Sequence, residues 1–181
     1  MLVALCGFMG SGKSTLMNRL KGAEGWDYID LDREILDRVR YKTISEMLEH
    51  RGWDFFRRAE FETLEELLHY YCTSEDADSK RCLLALGGGT LRGDTGQMIK
   101  SIQAELGQDE NALRIIYLDT PFAICWERIC DDQSRPLVKE GRESVEQLYR
   151  ERETFYRLFS TQSLSPEEQD KILHPRDLLS H

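Results

Sequence analysis

Gly7, four further residues and then Gly12-Lys13-Ser14 have the spacing of a phosphate-binding loop, or P-loop. Glycines let the backbone curl so that successive N–H groups face phosphate oxygens, and helix-terminal amides add to the attraction. Gly10, Ser11, Gly12, Lys13, Ser14 and Thr15 are therefore the candidate contacts to the phosphates of a nucleotide. Lys13 has the reach for β- and γ-phosphates, and the Ser14 hydroxyl suits Mg²⁺. Downstream, Asp30 and Asp32 close a second apolar run. Read as strand residues two apart, they share a face and point into one crevice. One carboxylate would stand near Mg²⁺ and the other near an acceptor hydroxyl, as phosphoryl transfer requires. A simpler role for such acids is to cap a helix beginning at Arg33. The loop itself says nothing about the acceptor.

These residues need a scaffold, and four short apolar runs supply it: 2–6, 28–31, 82–86 and 113–118. Each is too short for a helix and precedes Gly, Asp or Thr, so each reads as a buried strand. Between them lie helical patterns. In residues 54–71, Phe55, Leu64, Leu67, Leu68 and Tyr71 recur at helical spacing among charges. Alternating strand and helix predicts an α/β fold, a three-layer α/β/α sandwich with a mostly parallel sheet of four to five strands. Ligands then lie beyond the carboxyl ends of the strands, where the P-loop sits. Residues 73–80 and 106–112 read as solvated loops. Near the end, Ser165 and Pro166 open a short helix. Few residues precede it, so a fifth strand is expected to be short or absent.

The chain has 181 residues, 40% of them hydrophobic and 31% charged, which fits one soluble domain over residues 1–181. A net charge of −9 opposes nonspecific binding to nucleic acid or anionic membranes. Anionic substrates must then be drawn in by local basic residues. Five cysteines without C-x-x-C spacing predict neither a disulfide framework nor a zinc site. The N-terminal apolar run ends at a Gly-rich turn and lacks a basic leader, so the reading is a reducing cytoplasm.

Taken in order, "GFMGSGKST", "IDLD", "FRRAE" (56–60), "GGG" (87–89), "SRPL" (134–137) and "RETFY" (152–156) resemble the shikimate kinase family over about residues 2–157. The resemblance implies an ATP- and Mg²⁺-dependent enzyme of aromatic amino-acid precursor biosynthesis, which phosphorylates the 3-hydroxyl of shikimate and is expected to be a monomer. It further implies that Asp32 contacts the acceptor hydroxyls as base or orienter, that Asp30 joins Ser14 around Mg²⁺, and that Arg57 and Arg152 hold the shikimate carboxylate. Gly87, Gly88 and Gly89 would approach the ring, and Arg135 would reach the phosphates from a lid at about 130–143. The helical region at about 33–72 would carry the acceptor.

Each role has an ordinary rival in the sequence. Glu60, three residues after Arg57, offers it a helical surface pair. Yet planar guanidiniums suit bidentate recognition of a carboxylate, and ordering three consecutive glycines is costly unless something approaches them closely. Paired arginines would serve any carboxylate, so a kinase for another polyol acid such as gluconate also fits. The family's R-x-P-x-Y segment here reads Arg152-Glu153-Thr154-Phe155-Tyr156, without proline, which leaves the approach of Arg152 open. The short tail puts adenine contacts in question and suits a non-catalytic nucleotide-binding regulator.

Overall fold

The computed structural model describes residues 1–106, 112–132 and 136–179. Strand β1 (Leu2–Cys6) leads through the P-loop into helix α1 (Lys13–Leu20). Strand β2 (Asp27–Asp30) is followed by α2 (Leu31–Val39) and α3 (Ile44–Leu68). Strand β3 (Cys82–Ala85), α4 (Gly93–Leu106), β4 (Leu113–Leu118), α5 (Phe122–Ile129) and α6 (Arg142–Phe159) complete the body of the chain. The tail contributes β5 (Gln162–Leu164) and the single turn α7 (Pro166–Gln169).

All pairings are parallel, in the order β2-β3-β1-β4-β5. The fully buried strands explain the unbroken apolar runs, since a parallel sheet is covered on both faces. Alternation within β1 divides the core. Leu2, Ala4 and Cys6 pack with residues of α2 to α6, including Ile35, Leu64 and Tyr156. Val3 and Leu5 face the other layer, with Leu16, Met17 and Leu20 of α1 and Leu164, Ile172 and Leu178 of the tail. The fifth strand is thus short but present: Ile116, Tyr117 and Leu118 pair with Gln162, Ser163 and Leu164.

Several local expectations need correction. The helix read at 54–71 begins at Ile44, breaks at Gly52 (φ 76°, ψ 177°) and passes into a π turn over His69–Thr73. The stretch 73–80 is not merely solvated, because it forms a 3-10 turn over Ala77–Ser79 that buries Ala77. Of residues 106–112, Leu106 ends α4, and 107–111 lie outside the described residues. The short helix at Ser165 forms with a full capping box, Ser165 and Glu168 each satisfying the other's backbone N–H. All five cysteines are free. Among the described residues no helix is long and apolar enough to cross a membrane.

Candidate active site

Gly12 precedes α1 at φ 104°, a left-handed conformation that favours glycine, and no side chain caps the helix behind it. The first N–H groups of α1 therefore keep their affinity for an anion. A side chain at Gly10 would come within 2.6 Å of the Cys125 carbonyl oxygen, so the loop lies directly against α5. Lys13 folds back over the loop, its Nζ donating to the Gly7 carbonyl at 2.7 Å and the Phe8 carbonyl at 3.1 Å. Burial lowers its pKa, while Cys6, Asp32, Cys125 and Asp30 act in the opposite sense. Arg128 donates to the Gly10 carbonyl at 2.8 Å and holds the loop from α5.

The two aspartates are not on one strand. Asp30 ends β2 and caps α2, accepting the Arg33 N–H at 3.1 Å, so the capping role suggested by sequence is real. Asp32 lies in the first turn of α2, because the helix starts at Leu31 rather than at Arg33. They still share one cavity, since α2 turns off the strand at its carboxyl end. Burial pushes the Asp32 carboxyl up to about 6, with Asp30 and Glu60 adding to the effect and Lys13 and Arg57 opposing it.

Each of the three glycines after β3 faces a different functional side chain. A Cβ on Gly87 would lie 2.8 Å from Asp32 Oδ1, one on Gly88 2.8 Å from Arg152 Nη1, and one on Gly89 2.9 Å from Arg57 Nη2. Glycine is required here by close approach rather than by backbone angle. Arg57 does pair with Glu60, at 2.5 Å, but this is no surface pair: the Glu60 side chain is 1% exposed. Its other oxygen accepts the Thr90 hydroxyl at 2.6 Å. Glu60 therefore fixes the fork of Arg57 from below. Arg152 reaches Gly88 and Gly89 from α6, which runs unbroken through the segment without proline. Tyr156, one turn on, donates to the Gly88 carbonyl at 2.6 Å. Burial lowers the Arg152 pKa, the like charges of Arg57 and Arg92 adding to it, and its buried Nε has no partner among the described residues. A partly buried guanidinium in that condition is stabilised by an anion.

Lys13, Ser14, Asp30, Asp32, Gly88 and Arg152 open on one cavity of about 1560 Å³, above the roughly 300–1,000 Å³ usual for one small ligand. Its rim includes Leu137 and Glu140 from a 3-10 turn over Pro136–Glu140, in the segment expected to be a lid. Arg135 lies outside the described residues. Pro166, Gln169 and Asp170 of the short tail line the same cavity as the P-loop. Sequence reasoning missed Thr90, Arg128 and Gln169, which carry no motif. It named Glu60 only as a rival partner for Arg57, although the i, i+3 spacing was the usable signal.

Known proteins place this arrangement. The family model described as shikimate kinase matches residues 9–174. The shikimate kinase of Persephonella marina is 33% identical over 154 residues, covering 85% of this chain and 82% of its own. A shikimate kinase from Acinetobacter baumannii, solved in complex with shikimate, superposes with a TM-score of 0.72 at 26% identity, over 99% of this chain and 93% of that one. The shikimate kinase of Aquifex aeolicus gives 0.74 at 25% identity, over 99% and 95%. With a P-loop, an acid at each side of the β2–α2 junction and two arginines on a triple glycine, the chain belongs to the shikimate kinase family, phosphotransferases that act on an alcohol group.

Proposed function

We propose that this cavity holds ATP and shikimate side by side and transfers the γ-phosphoryl group to the shikimate 3-hydroxyl. The observation that carries the reading is the close approach of Asp32, Arg152 and Arg57 to three successive glycines. Of these, Gly87 and Gly88, with Asp32 and Arg152, line the cavity that Lys13 also lines, and Arg57 stands behind them at Gly89. Arg57 and Arg152 take the carboxylate of the acceptor as two guanidinium forks, which fixes orientation as well as charge. Gly87 to Gly89 leave room for the ring. Asp32 orients the 3-hydroxyl and accepts its proton as the oxygen attacks the γ-phosphorus and the bond to ADP breaks. A carboxyl held near 6 is a better proton acceptor at neutral pH than an ordinary aspartate.

At the nucleotide end, the backbone of Gly10 to Thr15 and the Lys13 ammonium take the phosphates. Mg²⁺ fits here, because the Ser14 hydroxyl and the Asp30 carboxylate are hard oxygen donors on the same cavity. When bound, it neutralises phosphate charge. Arg135, from the lid at about 130–143, would close on the same charge and help exclude water. The enzyme is proposed to work as a cytoplasmic monomer. The test is ADP release with Mg²⁺ and ATP, in the presence of shikimate or gluconate. Stimulation by shikimate alone supports the assignment, whereas stimulation by gluconate would move the acceptor to another polyol acid.

A further inference from the structure

We propose that Gln169 is a positioning residue for the P-loop, through which the C-terminal segment sets nucleotide affinity. This rests on the reading of that loop as the nucleotide phosphate site. Polar side chains are scarce in the buried interior, and two of them, Thr120 (1% exposed) and Gln169 (8% exposed), form a chain that ends on the main chain of the equally buried Ser11. Thr120 Oγ1 donates its one hydrogen to the Ser11 carbonyl at 2.9 Å. It must therefore accept at the same oxygen, and it does so from Gln169 Nε2 at 3.1 Å. The second amide hydrogen of Gln169 goes to the Leu164 carbonyl, also at 3.1 Å.

The same residue meets the loop in two more places. A Cβ on Gly12 would lie 3.1 Å from Gln169 Oε1, so the carboxamide abuts the loop at the residue before Lys13. The Gln169 main-chain carbonyl accepts from the guanidinium of Arg19, which sits on α1, the helix the loop opens. Meanwhile the Thr120 carbonyl accepts the Tyr149 hydroxyl at 3.1 Å, which anchors the chain to α6. One glutamine thus joins the loop, its helix and the edge strand β5. Both its amide hydrogens are committed, so a hydrocarbon in its place leaves Thr120 without a donor and the loop without its brace. The amides of that loop must be aimed before phosphate arrives, so loosening it weakens nucleotide binding while the acceptor subsite is untouched.

The experiment uses full-length Gln169→Leu, Thr120→Val, Thr120→Ser and the Gln169→Leu/Thr120→Val pair. ADP affinity is read by calorimetry well below each melting temperature, beside KM for ATP and for shikimate. Gln169→Leu and Thr120→Val are each expected to weaken ADP about tenfold, the pair no more than the worse single, and Thr120→Ser less than about twofold. KM for shikimate should stay within about twofold. Should Gln169→Leu fail to fold, Thr120→Val tests the same link from its other side while keeping its shape. A folded variant with a lowered melting temperature but unchanged ADP affinity would reduce the chain to structural support and overturn the proposal. So would an equal rise in both KM values. Absence of ADP binding by the unaltered protein would instead overturn the reading of the loop.

Discussion

Replacing Asp32 with asparagine removes a half-buried carboxylate that feels two others, Asp30 and Glu60, at nearly constant shape. Its displacement from 3.8 to about 6, at about 1.36 kcal/mol per pH unit, makes the ionised form cost the ligand-free protein on the order of 3 kcal/mol. Asp32 also sits in the first turn of α2, where a negative charge gains roughly 0.3–1 kcal/mol from the helix dipole. That reduces the net effect to about 2–3 kcal/mol. The sign follows from linkage. The folded pKa lies above the unfolded one, so the cost is complete above about pH 6 and gone below about pH 4. Urea unfolding should therefore find Asp32→Asn more stable than the parent by about 2–3 kcal/mol at pH 8, with the difference fading towards pH 4. Turnover should fall by roughly 10²–10⁴ while KM for ATP changes little. A stability difference of the same size at both pH values would refute the electrostatic origin. A rise in KM for ATP in step with the loss of turnover would place Asp32 in the metal site instead.

In the parent enzyme, kcat/KM for shikimate should decline on the acid side below about pH 6, and pH–rate profiles should show that limb missing from any residual activity of Asp32→Asn. Arg57→Ala should raise KM for shikimate by about 10- to 100-fold, and it should also lower the melting temperature because Glu60 is left buried without its cation. An unchanged KM would remove Arg57 from the acceptor subsite. Gly88→Ala places a methyl 2.8 Å from Arg152 Nη1, so steady-state kinetics should show a loss of shikimate affinity of about tenfold or more with ADP binding preserved.

The chemistry was readable wherever it depends on local spacing. The P-loop requires Gly12, Lys13 and Ser14 in succession, because the turn, the cation and the helix start are contiguous in the chain. Strands β1, β3 and β4 were readable for the same reason, since burial on both faces demands an unbroken apolar run. Strand β2, read as buried, is an edge strand with no fully buried residue. Errors arose where an element ends. The spacing reads Asp32 as strand, yet the helix takes over at Leu31, and periodicity over two residues cannot distinguish these. The sequence leaves β5 undecided between short and absent, because three residues suffice for a strand only when β4 is already in place to pair with it.

By itself, then, the sequence determined an α/β scaffold and its phosphate loop, while its resemblance to the family singled out the acid and the two arginines that approach the triple glycine. Tertiary structure alone decided the strand order, the burial of Glu60 beneath Arg57, and the delivery of Arg152 to Gly88 from a helix 64 residues further on. It also decided the bond from Gln169 to Thr120, 49 residues away in the chain. The physical reason is the range of the forces involved. Backbone geometry and hydrophobic period act between neighbours and leave a pattern in the chain. The partner of a buried polar group is chosen by packing among distant segments, and that choice leaves no local trace.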